Sequence, residues 1–503
     1  MAIIMQARQL GLRALASFVA GAILVGAFAP IGFAGLAFLC VAVLFYICRD
    51  LPPRQAFLMG LAFGYGLFGF GVSWVYVSLN VYGGMPIWMA SIAVLLFSGI
   101  LAVFIGFTTY FAARLCPKGG VKRILMLAPT WVVFEWIKSW IFTGFAWMEL
   151  GVSQTPSWFF GFAPFGGVYL VSFMVAISGS CLVLLFRYPG KLWSGGLLVC
   201  VILGSALADQ VSWTKAVGQP VNVGIVQANV PINQKWQPQY RERVIAKLRS
   251  MSEFIVEKES SKQTPVHLLV WPETALPLFY QQTDPKFWQD LIQSNTALLT
   301  GIVDYPNPDQ GYNAAVLNCD SQQQLYRKRH LVPFGEYLPM KFLFSWLLEY
   351  LQLPMDDLDA WQGEQSLSCE NGVKIGLSIC YEDAFASEIR HYSGDATLLI
   401  NISEDAWFGD SFAPHQRLQM GQMRARELSR PMARSANSGP SSMIDHRGRV
   451  LAKTLQFEEA TLAYALQPQT GDTAFKRFGH WIVWLCLGLL VLVFIRNLGY
   501  SKE

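Results

Sequence analysis

Long apolar runs dominate the first 208 residues, and one more apolar run lies near the C-terminus. A helix needs about 20 mostly apolar residues to cross the hydrocarbon core of a membrane. Eight runs meet or approach this length, and the first is interpreted as a retained helix because more spans follow it at once. The predicted transmembrane helices are Ala14–Phe28, Ile31–Cys48, Ala56–Leu79, Ile87–Ala113, Ile124–Phe142, Phe165–Phe186, Leu192–Leu207 and Trp481–Ile495.

After Pro220 the pattern changes to short apolar runs separated by helical segments. Near-continuous apolar runs are typical of strands covered on both faces, and alternating strands and helices indicate one α/β domain. The predicted strands are Val221–Val230, Val266–Glu273, Ala297–Tyr305, Ala314–Cys319, Lys374–Glu382 and Thr397–Ser403. The predicted helices are Gln239–Lys258 and His415–Ser429.

The charge composition supports this division. Only 14% of the 503 residues are charged, against roughly 25% in soluble globular proteins. The first 208 residues contain 14 charged side chains and the other 295 contain 58. Disordered chains and ordinary cytosolic enzymes are thereby excluded, and a net charge of +4 gives no support for a nucleic-acid partner. We predict a transmembrane domain with seven helices at 1–208, a catalytic domain at 209–478, and a last helix with its tail at 479–503.

Basic residues set the expected orientation, because cytoplasmic loops of membrane proteins are enriched in Lys and Arg. Such residues lie at the N-terminus, in alternate loops and at the C-terminus, whereas the loops Asn80–Pro86 and Thr143–Pro164 contain none. Both termini are therefore predicted to be cytoplasmic. The α/β domain is predicted to lie on the opposite side of the membrane.

Three segments of the α/β domain carry candidate chemistry, each at the end of a predicted strand: Trp271–Glu273, Tyr326–Glu336 and Ser378–Asp383. A cysteine nucleophile needs a base because a free thiol is only partly ionised at neutral pH. Glu273 is a candidate for that base, and Lys328 for stabilising an oxyanion next to Cys380. The alternatives are a buried structural cysteine, an ordinary strand end and a surface cation, and spacing alone does not establish that the three side chains converge.

These segments, in this order, resemble the Glu-Lys-Cys triad of the nitrilase superfamily, which implies an αββα sandwich. Seven spans before the domain and one after it resemble, more specifically, the apolipoprotein N-acyltransferases, the integral-membrane family of this superfamily. The strings that carry this resemblance are VQANV…KW, LVPFGEY, ICYED and NISEDAWFGDS…PHQ.

The resemblance implies a role for each matching residue. Cys380 would be the nucleophile, Glu273 the general base and acid, and Lys328 the stabiliser of the oxyanion. Glu336 would orient Lys328 or the attacking group, and Glu382 would support the site.

Three aromatic residues, Tyr381, Trp236 and Trp147, match positions that the family associates with substrate or activity. A packing role is the alternative for each of them. No metal or cofactor is implied by the resemblance.

The implied reaction is acyl transfer through a cysteine thioester. The donor would be the sn-1 chain of a phospholipid, typically phosphatidylethanolamine, and the acceptor the α-amine of an S-diacylglyceryl cysteine at an apolipoprotein N-terminus. The resemblance places such an enzyme in the bacterial inner membrane with a periplasmic catalytic domain. Nothing in the sequence demands more than a monomer. Two hypotheses compete with it: a membrane-tethered amidase that uses water as acceptor, and a non-enzymatic transporter or scaffold.

Several other residues leave alternatives open. Cys319 and Cys369 are candidates for a disulfide outside the cytoplasm. Glu135 and Lys138, three residues apart in a predicted span, form either an internal ion pair or a lipid-headgroup contact. A cluster that suggests a metal site by composition but matches no ligand spacing is interpreted as loop structure and helix capping: Asn401, Glu404, Asp405, Asp410 and His415. Four arginines are interpreted as solvated or paired with carboxylates, with phosphate headgroups as the alternative: Arg424, Arg426, Arg430 and Arg434.

Overall fold

The computed structural model describes residues 2–188, 190–291, 296–319, 322–344, 357–369 and 372–500. The chain divides into two compact units. The first comprises Met1–Tyr76, Pro86–Ser212 and Ala474–Glu503, and the second comprises Val77–Met85 and Trp213–Thr473.

Helices are numbered along the chain. They are α1 Ala2–Leu24, α2 Gly35–Cys48, α3 Pro53–Gly71, α4 Trp74–Val77, α5 Ile87–Leu115, α6 Gly120–Lys138, α7 Ala163–Arg187, α8 Leu192–Gln210, α9 Ile232–Lys235, α10 Arg241–Ser261, α11 Pro285–Leu291, α12 Lys341–Phe344, α13 Ala386–Tyr392, α14 Ala413–Leu428, α15 Ala474–Phe478 and α16 Trp481–Tyr500.

Strands are numbered in the same way. They are β1 Lys215–Ala216, β2 Val221–Gln227, β3 Leu268–Val270, β4 Ala297–Asn307, β5 Gln310–Cys319, β6 Gln322–Arg327, β7 Leu367–Ser368, β8 Lys374–Ile379, β9 Leu398–Ser403, β10 Met432–Ala436, β11 Ser442–Ile444, β12 Val450–Lys453, β13 Ala460–Leu466 and β14 Gln469–Thr470.

Each of the eight predicted apolar spans contains a helix of the first unit. Five described helices are long and apolar enough to cross a membrane, or six if the bent pair Pro53–Gly71 and Trp74–Tyr82 is one span. Helix α2 has only 14 residues, and α6 carries four charged side chains. The structure therefore supports several membrane helices, and the count of eight stays a prediction.

Small residues allow helices α3 and α5 to approach closely. A Cβ atom on Gly60 would lie 2.4 Å from the carbonyl oxygen of Ile105, and one on Gly64 would lie 2.6 Å from Cα of Ala102. Glycines four residues apart are a common means of close helix packing in membranes, where no hydrophobic effect drives association.

Two six-stranded sheets form the centre of the second unit. The first sheet has the strand order β13-β2-β3-β4-β5-β6, and the second has the order β12-β11-β10-β9-β8-β7. Strands β2, β3 and β4 are parallel, as are β8, β9 and β10. Side chains from both sheets, such as Ile225 and Ile400, share one buried apolar core, so the sheets pack face to face.

Helices cover the outer faces of both sheets. Val244, Leu248 and Ile255 of α10 pack with residues of the first sheet in a second core. On the other side, α14 packs against β10 and β11, and α13 against β8. The resulting order of layers is helix, sheet, sheet, helix, which confirms the predicted αββα sandwich.

The six predicted strands and both predicted helices are present, but three predicted strands end too late. Strand β2 ends at Gln227 and not at Val230. Strand β3 ends at Val270, because Pro272 has no amide proton for a ladder hydrogen bond. Strand β8 ends at Ile379, and Cys380–Ala384 forms a 3₁₀ helix instead of more strand. The corrections to β3 and β8 each place a candidate side chain, Glu273 or Cys380, in the segment after a strand.

Candidate active site

Glu273 lies in the turn that follows strand β3. The neighbouring strand β4 passes close beneath this turn, since a Cβ atom on Gly301 would lie 2.7 Å from Cα of Glu273 and 2.2 Å from the amide nitrogen of Thr274. Only glycine at position 301 admits this approach. The carboxylate of Glu273 is thereby held inside the domain, where the residue is 5% exposed.

Three donors surround the carboxylate of Glu273. The Asn313 side-chain amide donates to its Oε1 at 2.7 Å, and the backbone N–H of Glu404 donates to its Oε2 at 2.7 Å. Lys328 Nζ lies 3.5 Å from Oε1. Such contacts fix the direction in which the carboxylate can accept a proton.

Lys328 follows strand β6 and is fully buried. Its Nζ donates to Oε1 of Glu336 at 2.8 Å. Burial alone would lower the pKa of this lysine, but the Glu336 and Glu273 carboxylates outweigh that effect and hold the pKa above its ordinary value. Lys328 is therefore an ammonium ion at neutral pH, as an oxyanion-stabilising group must be.

Glu336 and Asn313 complete the surroundings of Lys328. Glu336 accepts through Oε1 from Asn313 Nδ2 at 2.7 Å and through Oε2 from the Val332 amide at 2.8 Å. The Asn313 amide thus joins the two carboxylates that flank the lysine. Asn313 was missed in the sequence analysis, although an asparagine in the apolar strand NAAVL was a signal for a buried polar role.

Cys380 is the first residue after strand β8 and has a φ of 49°. Burial, with the Glu273 charge adding to it, raises the pKa of its thiol to about 12, against the opposing effects of Arg417 and Lys328. The thiol is therefore protonated at neutral pH and depends on a base. Lys328 Nζ lies 3.5 Å from Glu273, and the charges of both residues act on the pKa of this thiol.

Glu382 connects the turn that carries Cys380 to the loop after Lys328. It accepts hydrogen bonds from the amide of Ile379 at 2.7 Å and from the amide of Arg329 at 2.6 Å. The hydroxyl of Tyr326 donates to it at 3.0 Å. Burial raises the pKa of this carboxyl group. Glu382 thus links two loops of the site to one another, and its supporting role in activity stays a prediction.

Arg417 of α14 contacts the candidate nucleophile directly. Its Nη1 lies 3.0 Å from Sγ of Cys380, and its Nη2 donates to the Cys380 carbonyl oxygen at 2.6 Å. The sequence analysis did not single out Arg417, because charged residues along a helix usually mark its solvent-exposed face.

The predicted aromatic residues have packing contacts. Tyr381 is buried, with its ring centroid 4.9 Å from that of Phe385. Trp236 is half-buried and stacks on Phe279 at 6.4 Å. Trp147 belongs to the first unit, where it is fully buried. A role of these residues toward substrate stays a prediction.

Among the residues that suggested a metal site by composition, Glu404 and Asp405 have other partners. The Glu404 side chain accepts from the Ala406 amide and caps the short helix Asp405–Phe408, which confirms its interpretation as a helix cap. Glu404 also pairs with Lys235 at 2.7 Å. Within the described residues, no group of His, Cys, Asp and Glu side chains is arranged to hold a metal ion.

The four arginines that were interpreted as solvated or paired are all buried, so the solvated part of that interpretation is wrong: Arg424, Arg426, Arg430 and Arg434. Arg424 pairs with Glu427 at 3.0 Å and Arg434 with Asp405 at 2.5 Å, so the pairing part of the interpretation is confirmed for these two. Arg430 donates to the carbonyl oxygens of Ala396, Leu428, Ser429 and Gly471. The hydrogen-bond donors of its guanidinium are therefore paired with backbone carbonyl oxygens.

Cys319 and Cys369 form a disulfide. Glu135 accepts from the Leu150 amide at 2.7 Å, while Lys138 donates to the carbonyl oxygens of Phe145 and Trp147. Both side chains of α6 therefore hold the backbone of the segment that follows it. The internal ion pair and the lipid-headgroup contact both stay predictions.

Two family models match the chain. A model described as the apolipoprotein N-acyltransferase N-terminal domain matches residues 20–182, and a carbon-nitrogen hydrolase model matches residues 222–475.

Full-length relatives bear the same family name. The apolipoprotein N-acyltransferase of Methylococcus capsulatus is 36% identical over 494 residues, and the match covers 96% of each chain. That of Nitrosomonas europaea is 37% identical over 489 residues and covers 95% of this chain and 96% of the relative. Among solved structures, a carbon-nitrogen hydrolase from Helicobacter pylori G27 matches 50% of this chain and 90% of its own, with 16% identity and a TM-score of 0.38.

Proposed function

Because the chain belongs to the apolipoprotein N-acyltransferase family, we propose that it moves an acyl chain from the sn-1 position of a phospholipid to the N-terminal S-diacylglyceryl cysteine of apolipoproteins. The observation that carries the mechanism is the buried cluster in which Lys328 Nζ lies 3.5 Å from Glu273 and both charges act on the Cys380 thiol. This cluster supplies a base, a cation and a nucleophile.

In the first half-reaction, the Glu273 carboxylate takes the thiol proton of Cys380. The thiolate attacks the ester carbonyl carbon of the phospholipid, and Lys328 stabilises the negative oxygen of the tetrahedral intermediate. When the intermediate collapses, the glycerol oxygen leaves and receives the proton from Glu273. The products are a thioester on Cys380 and a lysophospholipid.

In the second half-reaction, the α-amine of the acceptor cysteine attacks the thioester carbonyl carbon. Glu273 takes a proton from the attacking amine, and Lys328 again stabilises the oxyanion. Collapse of this intermediate expels the thiolate of Cys380, which regains its proton from Glu273. The acceptor leaves as an N-acyl amide and the enzyme returns to its first state.

Membrane attachment fits these substrates, since both carry lipid chains. The family and the apolar helices identify a bacterial membrane protein. We place eight spans in the inner membrane, with both termini in the cytoplasm. Residues 209–478 then form the catalytic domain in the periplasm, and the enzyme acts as a monomer. The Lys and Arg bias of the loops supports this orientation.

An acyl-transfer assay tests the proposal. The full chain is reconstituted with phosphatidylethanolamine and a peptide bearing an N-terminal S-diacylglyceryl cysteine, and both the peptide and the free fatty acid are quantified. We expect N-acyl peptide to exceed free fatty acid. Free fatty acid without N-acyl peptide would overturn the proposal in favour of an amidase-type hydrolase. N-acylation at the wild-type rate by Cys380→Ala would exclude the proposed nucleophile.

A further inference from the structure

Arg417 is a buried cation that contacts the candidate nucleophile, Cys380, through both terminal nitrogens of its guanidinium. The residue is 1% exposed. Its guanidinium reaches both Sγ of Cys380, at 3.0 Å from Nη1, and the carbonyl oxygen of the same residue, at 2.6 Å from Nη2. A guanidinium donates in a fixed planar fork, so these two contacts define the position of the sulfur relative to its own backbone.

The surroundings prevent the guanidinium from turning away. Asp383 accepts from Nη2 at 2.8 Å, and the Ser403 hydroxyl accepts from Nη1 at 3.0 Å. Asp405 lies 3.6 Å from Nη1 and is itself held by Arg434 at 2.5 Å. One donor of Nη1 and one of Nη2 therefore contact Cys380, while Ser403 and Asp383 hold the guanidinium in this position.

We propose that Arg417 is a catalytic residue that stabilises the Cys380 thiolate, through the Nη1–Sγ contact, each time this anion forms. In the reaction proposed above, on which the role in turnover rests, the thiolate forms twice. It appears when Glu273 removes the thiol proton, and it appears again as the leaving group when the amine displaces it from the thioester. Lys328 stabilises the negative charge on the carbonyl oxygen in both steps, and Arg417 stabilises the negative charge on the sulfur.

A purely structural role is the competing explanation, because Arg417 also neutralises Asp383 and Asp405. The two explanations differ in the chemistry of the thiol. If Arg417 only supports packing, its loss loosens the site and makes Cys380 more accessible to small reagents. If Arg417 stabilises the thiolate, its loss makes the thiol a weaker acid and slows its reaction.

Alkylation of Cys380 by iodoacetamide separates these explanations. The full-length protein carries Cys200→Ser, since Cys200 is exposed, and the rate at Cys380 is followed by peptide mass spectrometry between pH 7 and 9. Arg417→Gln is compared with Arg417→Lys. Arg430→Gln is the matched control, because Arg430 is an equally buried arginine that donates to backbone carbonyls away from Cys380.

A nearby cation lowers the pKa of an acidic group by about 1 to 3 units, so its loss should reduce the thiolate fraction about 10-fold to 1,000-fold. A more basic thiolate is also intrinsically more reactive, which offsets about half of this loss on a logarithmic scale. We therefore expect alkylation to be about threefold to thirtyfold slower in Arg417→Gln, less reduced in Arg417→Lys, and unchanged in Arg430→Gln. Alkylation at the wild-type rate or faster in either folded Arg417 variant would overturn the inference. If Arg417→Gln does not fold, Arg417→Lys decides by the same criterion.

The alkylation contains no lipid and no peptide, so its outcome is independent of whether the chain transfers acyl groups. Failure of the acyl-transfer assay with normal thiolate behaviour would reject the proposed function alone. Normal acyl transfer with unchanged alkylation in the Arg417 variants would reject only the role of Arg417.

Discussion

The two sheets of the catalytic domain each contribute one buried charged cluster, and the two clusters differ in composition. The first sheet supplies Glu273, Asn313 and Lys328 with the nearby Glu336, in which two carboxylates flank one cation. The second sheet and α14 supply Cys380 with Asp383, Asp405, Arg417 and Arg434, in which two guanidiniums alternate with two carboxylates.

We infer from this difference that the two clusters have different roles in the reaction. In the proposed reaction, the first cluster moves protons and stabilises the carbonyl oxygen, so it needs a base and a cation that both keep their charge. The second cluster holds the sulfur, so it needs a cation that reaches the nucleophile and carboxylates that keep this cation in place. The following variants test these roles, in order of decreasing expected effect.

Removing the nucleophile has the largest expected effect. Cys380→Ala eliminates the sulfur on which both half-reactions depend, so N-acyl peptide should fall below detection. The protein should remain folded, because alanine fits a buried site without adding a charge. Residual thioester formation in this variant would show that another residue is the acyl acceptor.

Removing the base is next. Glu273→Gln keeps the shape of the side chain but cannot take the thiol proton, and we expect about a 10²–10⁴-fold loss of turnover. The rate of acyl-enzyme formation measures this loss. Glu459→Gln is the control, since Glu459 forms an exposed ion pair with Lys247. A loss below about tenfold would remove Glu273 from the role of base.

Removing the cation of the first cluster should cost about 10²–10³-fold in turnover, as loss of one oxyanion-stabilising donor does elsewhere. Lys328→Met retains the length of the side chain without its charge. The expected decrease lies in turnover and not in KM, because the oxyanion exists only in the transition state and intermediate. Lys247→Met serves as the control. A change confined to KM would assign Lys328 to substrate binding.

The fold was more predictable from the sequence than the charged partners of the site. Apolar runs and helical patterns indicated the long helices and six of the strands, and the motifs around Glu273, Lys328 and Cys380 were found through their resemblance to a known triad. Arg417 and Asn313 were not found. Arg417 is 37 residues from Cys380, and Asn313 is 40 residues from Glu273. Such pairs depend on how strands and helices align in three dimensions, which local patterns do not encode.

Asn313 gives a smaller effect. Asn313→Ala removes one amide that donates to both Glu273 and Glu336, and a hydrogen bond to a charged group contributes about 1.5–3 kcal/mol. We expect turnover to fall about tenfold, since both carboxylates gain freedom without losing their charge. Asn318→Ala, on the same strand with a long side-chain contact to the Trp288 carbonyl oxygen at 3.5 Å, should leave turnover unchanged. Equal losses in both variants would contradict a specific role.

The smallest expected effect is a pH dependence of stability from the second cluster. Burial favours the neutral form of Asp405, but Arg434 and Arg417 outweigh it and lower its pKa in the folded state. Its stabilising contribution is therefore complete above the unfolded-state pKa of about 3.9 and is lost as pH falls toward the folded-state pKa. Asp405→Asn should lower Tm equally at pH 7 and pH 5 and lower it less at about pH 3, below the unfolded-state pKa. A constant or growing difference on acidification would contradict this pairing.

The most direct test of the account is mass spectrometry of the full-length protein after exposure to phosphatidylethanolamine vesicles without acceptor. We predict one added acyl group on Cys380, an equal amount of lysophospholipid, and loss of the acyl group when the S-diacylglyceryl cysteine peptide is added. An acyl group on any other residue, or N-acyl peptide formed without passage through acylated Cys380, would contradict the account.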